Sequence, residues 1–148
     1  MKFYVDTSVW GGYEDKEFSE WTKPFFYQAR QGKFILVLSD IKIEELNKAP
    51  DSIKELPTTI PPEYLETISI TEEQLELSNR YINEGVLTKK FYTDAQHIAI
   101  ATILKVDSLI SWNFNHMVNF FRIRQYNYIN LKFGYSIIDI RTPKEVIF

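Results

Sequence analysis

The sequence predicts an α/β domain built on a mainly parallel sheet, and three observations carry that expectation. Short apolar runs, Phe3-Tyr4-Val5, Phe34 to Leu38, Ser108-Leu109-Ile110-Ser111 and Ile137-Ile138-Asp139-Ile140, read as strands. The longest of them lacks the polar alternation of a half-solvated strand, which suits burial on both faces. Segments with helical spacing and capping residues separate the runs, so each strand can return parallel to the last through a helical crossover.

Taken in order, the first strand runs straight into Asp6-Thr7-Ser8, which reads as a polar turn. Ser19 is placed to cap a helix reaching about Gln31, with Pro24 near its start and Gly32 as its stop. After the second strand, Ser39 or Asp40 can cap a helix carrying Ile41, Glu44, Glu45 and Leu46. Pro57 to Pro62 reads as an exposed connection, and the middle of the chain, about residues 40 to 90, as wholly helical. Thr71-Glu72-Glu73-Gln74 has capping-box spacing, with Gly85 as the matching stop. Thr93 is expected to cap a helix that packs through Ala95, Ile98, Ala99, Thr102 and Ile103. The third strand, residues 108 to 111, is followed by a helix expected from about Phe114 to Arg124, then by the fourth strand, which Pro143 ends.

A chain of 148 residues holds one domain, residues 1 to 148, with 45% hydrophobic and 25% charged residues, values ordinary for a globular protein. No apolar run approaches the roughly 20 residues that span a bilayer. The N-terminus meets Asp6 too early for a signal-peptide core, and without cysteine there is no disulfide framework and no thiolate zinc site. These features fit a cytoplasmic protein. The net charge of −3 argues against passive coating of DNA. It hides an asymmetry: residues 1 to 87 carry nine basic and sixteen acidic side chains, residues 88 to 148 eight and four.

Parallel α/β folds gather chemistry beyond the carboxyl ends of their strands. Asp6 ends the first strand, Glu44 and Glu45 follow the second, and Ser111-Trp112-Asn113-Phe114-Asn115 follow the third. Asp94 opens the helix leading into that third strand. Each has a plainer reading as a turn former, a helix-start charge or a solvated residue, but their joint placement at element ends makes a site hypothesis. His97 shares a helix face with Asp94 and reads as a hydrogen-bonded histidine near the surface; His116 reads as a helix-start residue. The two histidines have no ligand partner at zinc spacing. Gly11-Gly12 is an isolated pair, so no phosphate loop is present, and neither Ser8 nor Ser111 belongs to a nucleophile elbow. A haloacid-dehalogenase-like phosphatase would need a second aspartate two residues after Asp6, where Ser8 stands.

Tyr4-Val5-Asp6-Thr7-Ser8, Glu45-Leu46, Asp94-Ala95-Gln96-His97-Ile98-Ala99 and Ser111-Trp112-Asn113-Phe114-Asn115-His116 resemble, in order and spacing, the motifs of the PIN domain family. The tail, Gly134-Tyr135 and Ile140 to Ile147, also looks like that family's ending, so the likeness covers nearly the whole chain. It is closest to stand-alone bacterial PIN proteins, VapC-type toxins among them. The resemblance implies a three-layer fold and a Mg²⁺- or Mn²⁺-dependent endoribonuclease that leaves a 5′-phosphate and a 3′-hydroxyl. The family's acids map onto Asp6, Glu45 and Asp94, Glu45 being preferred to Glu44 because it directly precedes Leu46. The fourth position, commonly Asp, is Asn113, with Asn115 as a second candidate ligand. An amide there keeps an oxygen donor but removes a charge, which weakens a second metal. Thr7, Ser8, Ser111 and His97 would support the site. Lys89, Lys90, Arg122, Arg124 and Lys132 are candidates for phosphate contacts. Tyr13, Trp10 and Trp112 can stack on bases, with core packing as the plainer reading. Expected partners are RNA, a cognate antitoxin and a second copy in a homodimer. The alternative is a degenerate PIN module that binds RNA or protein without cutting.

Overall fold

The computed structural model describes residues 1–148, the side chain of Lys42 excepted. Its sheet comprises β1 (Lys2–Val5), β2 (Ile35–Ser39), β3 (Leu65–Ile68), β4 (Ser108–Ile110) and β5 (Ile140–Arg141). All pairings are parallel, in the order β3-β2-β1-β4-β5, so the first strand of the chain is the middle strand of the sheet. Helices α1 (Thr7–Gly12), α2 (Ser19–Arg30), α3 (Asp40–Asn47), α4 (Asp51–Lys54), α5 (Glu72–Asn83), α6 (Tyr92–Leu104), α7 (Phe120–Lys132) and α8 (Pro143–Val146) surround it. The α/β class expected from the sequence is the one observed, a helix-flanked parallel sheet of three-layer, PIN-like form.

Side-chain alternation along the strands divides the interior into two cores. Phe3 and Val5 of β1, Leu36 and Leu38 of β2 and Ile110 of β4 pack with Trp10, Phe25, Phe26 and Phe34 on one face. Tyr4, Val37 and Leu109 point the other way, onto Ile98, Ala99 and Tyr126 from α6 and α7. Helix α6 is buried nearly all round, from Ala95 to Thr102, and so has no broad solvent face.

Several expectations need correction. Residues 40 to 90 are not wholly helical, for β3 forms the sheet edge there. Its sequence, Leu-Glu-Thr-Ile, is half-buried, as edge strands are, and lacks a continuous apolar run. Asp6-Thr7-Ser8 is not a free turn but the start of α1, with the Asp6 carboxylate accepting from the Ser8 N–H at the N-cap. Helix α2 has Phe18, not Ser19, at its N-cap. Helix α6 starts at Tyr92 after a 3-10 turn, which puts Thr93 inside the helix. The helix expected from Phe114 begins at Phe120, because Asn113 folds residues 115 to 118 into a turn and Asn119 is the true cap. Pro143 opens α8 instead of merely ending β5.

Candidate functional site

The chain runs from β1 outward through β2 to β3, then crosses back to β4 and β5 on the other side of β1. The boundary between β1 and β4 is therefore the topological switch point, beyond whose carboxyl ends parallel sheets of this kind gather their chemistry. Val5 pairs with Ile110, which brings Asp6 opposite Ser111 just beyond both strands. Asp6 is 4% exposed, and a buried carboxylate needs donors. Ser111 Oγ donates to its Oδ2 at 2.7 Å, while Ser8 Oγ and the Ser8 N–H donate to Oδ1 at 2.5 and 3.1 Å. Ser8 Oγ in turn accepts from the Trp112 N–H at 2.8 Å, and Ser111 Oγ from the Asn113 N–H at 2.9 Å. Both serine hydroxyls are thus committed to holding Asp6.

The other two acids come from helices. Glu45 on α3 accepts from Thr7 Oγ1 at one oxygen, and its other oxygen lies 3.1 Å from His97 Nε2. Glu44 is exposed on the same helix; both glutamates line a cleft of about 440 Å³ with Asp40, Lys48, Thr93 and Gln96. Asp94, in the first turn of α6, lies 2.9 Å from His116 Nδ1. Burial raises the Asp94 pKa above the usual aspartate value, His116 opposes the rise, and the Asp6 charge adds to it. The Asp6 charge thus reaches Asp94, although 88 residues separate the two along the chain.

His97 is not near the surface: it is 2% exposed, with Nδ1 2.6 Å from the Tyr4 hydroxyl. His116 is a turn residue rather than a helix start, its ring against Phe91 at 4.0 Å between centroids. Asn113 uses its side-chain oxygen to accept from the N–H groups of Asn115 and His116, at 3.1 and 3.0 Å; Asn115 is exposed. Lys89 and Lys90 are exposed on the turn leading into the helix of Asp94. The remaining cations are engaged elsewhere. Arg122 donates to the Val86 carbonyl, Arg124 lies over the Phe120 ring at 5.6 Å, and Lys132 pairs with Glu84 at 2.9 Å. Trp10 is fully buried, and Trp112 stacks on Phe18 with ring centroids 4.5 Å apart, so both belong to the core. Tyr13 meets Phe26 edge-on.

Sequence reasoning missed Tyr4 and Ser39, whose hydroxyls meet at 2.8 Å beneath the acids. Tyr4 reads as one more core aromatic, and only its neighbour in the folded sheet reveals the polar role. It also missed the contact of His116 with Asp94, which depends on how the residue 113–118 turn folds back on α6.

The donor set at this end of the sheet is all oxygen where it is anionic, which is the chemistry that hard divalent cations prefer. Asp6, Asp94 and Glu45 fit such an ion by donor type. By position they are held by their own partners: among the described residues no three acidic or histidine side chains are already gathered as a metal-binding group. Serines hold Asp6, Thr7 and His97 hold Glu45, and His116 holds Asp94. Compared with models of protein families and with curated proteins, the sequence matches none. Among the described residues, no helix is long and apolar enough to cross a membrane.

Proposed function

We propose that this chain is a PIN-type, Mg²⁺- or Mn²⁺-dependent endoribonuclease, acting as a VapC-like toxin or a related stand-alone nuclease of the cytoplasm. The observation that carries the reading is the buried Asp6 carboxylate at the switch point of a parallel sheet, near enough to Asp94 for its charge to add to the raised Asp94 pKa. Two carboxylates brought together against desolvation are poised to share a cation. Asp6, Asp94 and Glu45 would hold it, Glu45 through the oxygen that now accepts from Thr7, with His97 kept on the other. The bound ion would supply Lewis acidity, activating water and neutralising charge on a phosphodiester. Ser8 and Ser111 orient Asp6, and their commitment to it leaves water as the nucleophile. Lys89 and Lys90, exposed on the turn that leads into α6, would meet the RNA backbone. RNA is the substrate in this reading, with a cognate antitoxin and a homodimer as further expected partners.

One observation favours the competing reading, a PIN-type module that binds without cutting. The Asn113 carbonyl oxygen already accepts from two backbone N–H groups, so that position offers no free carboxylate. A labelled single-stranded RNA incubated with Mn²⁺ separates the two. The nuclease reading expects cleavage by the wild type and a loss of about 100-fold or more in Asp6→Asn, a change of charge without change of shape. Retention of RNA without cleavage would favour the binding module, and cleavage undiminished in Asp6→Asn would remove Asp6 from the chemistry.

A further inference from the structure

We infer that Ser39, Tyr4 and His97 form a positioning relay that holds the His97 ring in place and, through its outer ring nitrogen, fixes the orientation of the Glu45 carboxylate. The inference rests on the reading of Glu45 as a nuclease acid.

Phenylalanine would satisfy the packing at position 4, in the middle of the central strand. Tyrosine instead puts a hydroxyl at a fully buried point, where an unpartnered polar atom would be expensive. That hydroxyl lies 2.8 Å from Ser39 Oγ at the end of β2 and 2.6 Å from His97 Nδ1 on α6. His97 Nε2 then lies 3.1 Å from Glu45 Oε1. Three elements, β1, β2 and α6, thus converge on one side chain of a fourth, α3.

The direction of the hydrogens follows from counting donors. An ionised carboxylate only accepts, so Nε2 of His97 carries the hydrogen that faces Glu45. Nδ1 of a neutral ring is then an acceptor, and the Tyr4 hydroxyl donates to it. The Tyr4 oxygen is left to accept from Ser39. Each link uses one hydrogen. The opposite direction would set the bare lone pair of Nε2 against a carboxylate oxygen. Side chains that orient a metal's ligands from behind matter to the metal, and losing one typically lowers metal affinity or activity 10- to 100-fold.

The test joins nitrogen-15 NMR of the histidine rings to calorimetric titration with Mn²⁺ alone. The wild type is expected to show the Nε2–H tautomer for the neutral form of the His97 ring. Tyr4→Phe, which removes one oxygen from an otherwise retained ring, is expected to shift the His97 Nδ1 resonance as its hydrogen bond is lost and to bind Mn²⁺ about 10- to 100-fold more weakly. His97→Gln, whose amide can still donate to Glu45, should recover affinity that His97→Ala does not. An Nδ1–H tautomer in the wild type, or an unchanged Nδ1 resonance in Tyr4→Phe, would overturn the relay. The NMR arm decides this even if the wild type takes up no Mn²⁺, an outcome that would count against the nuclease reading instead.

Discussion

Burial around Asp94 opposes its ionisation; the bond from His116 works against that effect, and the Asp6 charge reinforces it. The folded protein therefore holds the Asp94 proton more tightly than the unfolded chain does. Stability falls as pH rises from the ordinary value of 3.8 through the raised one, and stays lower above it. In metal-free buffer at neutral pH, Asp94→Asn should melt above the wild type, and the difference should close below pH 3.8. Mn²⁺ should change the comparison, raising the wild-type melting temperature much more than that of the variant. Equal metal stabilisation of both would remove Asp94 from the proposed site. Asp6, Glu45 and Asp94 were all legible as polar residues at element ends. Their partners were less so. Ser8 and Thr7 lie beside Asp6 in sequence, but the contacts of Tyr4 with His97 and of His116 with Asp94 span 93 and 22 residues, and local pattern carries no record of them.

At the scale of elements, the loop after β4 depends on α1 through one glycine. A Cβ on Gly12 would lie 2.9 Å from the Trp112 indole and 3.0 Å from Thr22 Oγ1, to which Trp112 Nε1 donates at 2.9 Å. Gly12→Ala is expected to destabilise the fold by about 1–3 kcal/mol, read by thermal denaturation, and to alter tryptophan fluorescence as the indole shifts. The capping box of α5 gives a milder test: Thr71 Oγ1 accepts from the Gln74 N–H at 3.2 Å, and the Gln74 side chain accepts from the Thr71 N–H at 2.9 Å. Thr71→Ala should lower stability by about 1 kcal/mol. That box was readable because its whole signal sits within four residues, as was the stop at Gly85, where φ is +78°. The strand β3 was not. Its half-buried edge position asks for no apolar run, and its pairing with β2 is a property of the assembled sheet. The start of α7 fell between the two, since Asn119 is a recognisable cap but the preceding turn also carries helix-compatible residues.

For the molecule as a whole, the parallel sheet makes every strand pairing non-local, and such topologies fold slowly compared with helical bundles. The register ties Lys2–Val5 both to β2 and to β4, so two-sided support for the central strand arrives only with Ser108–Ile110. A fragment ending at Leu104 would keep α6 and the three acids but leave one edge of β1 unpaired. It is expected to show no cooperative thermal transition by circular dichroism; a sharp melt would mean that β4 is dispensable to the core. The same register has a consequence during synthesis. At about 5–20 residues per second, a ribosome needs roughly 5–20 s to pass from the first strand to the fourth. Throughout that interval the nascent chain would carry an apolar strand with an open hydrogen-bonding edge, the kind of surface that chaperones shield.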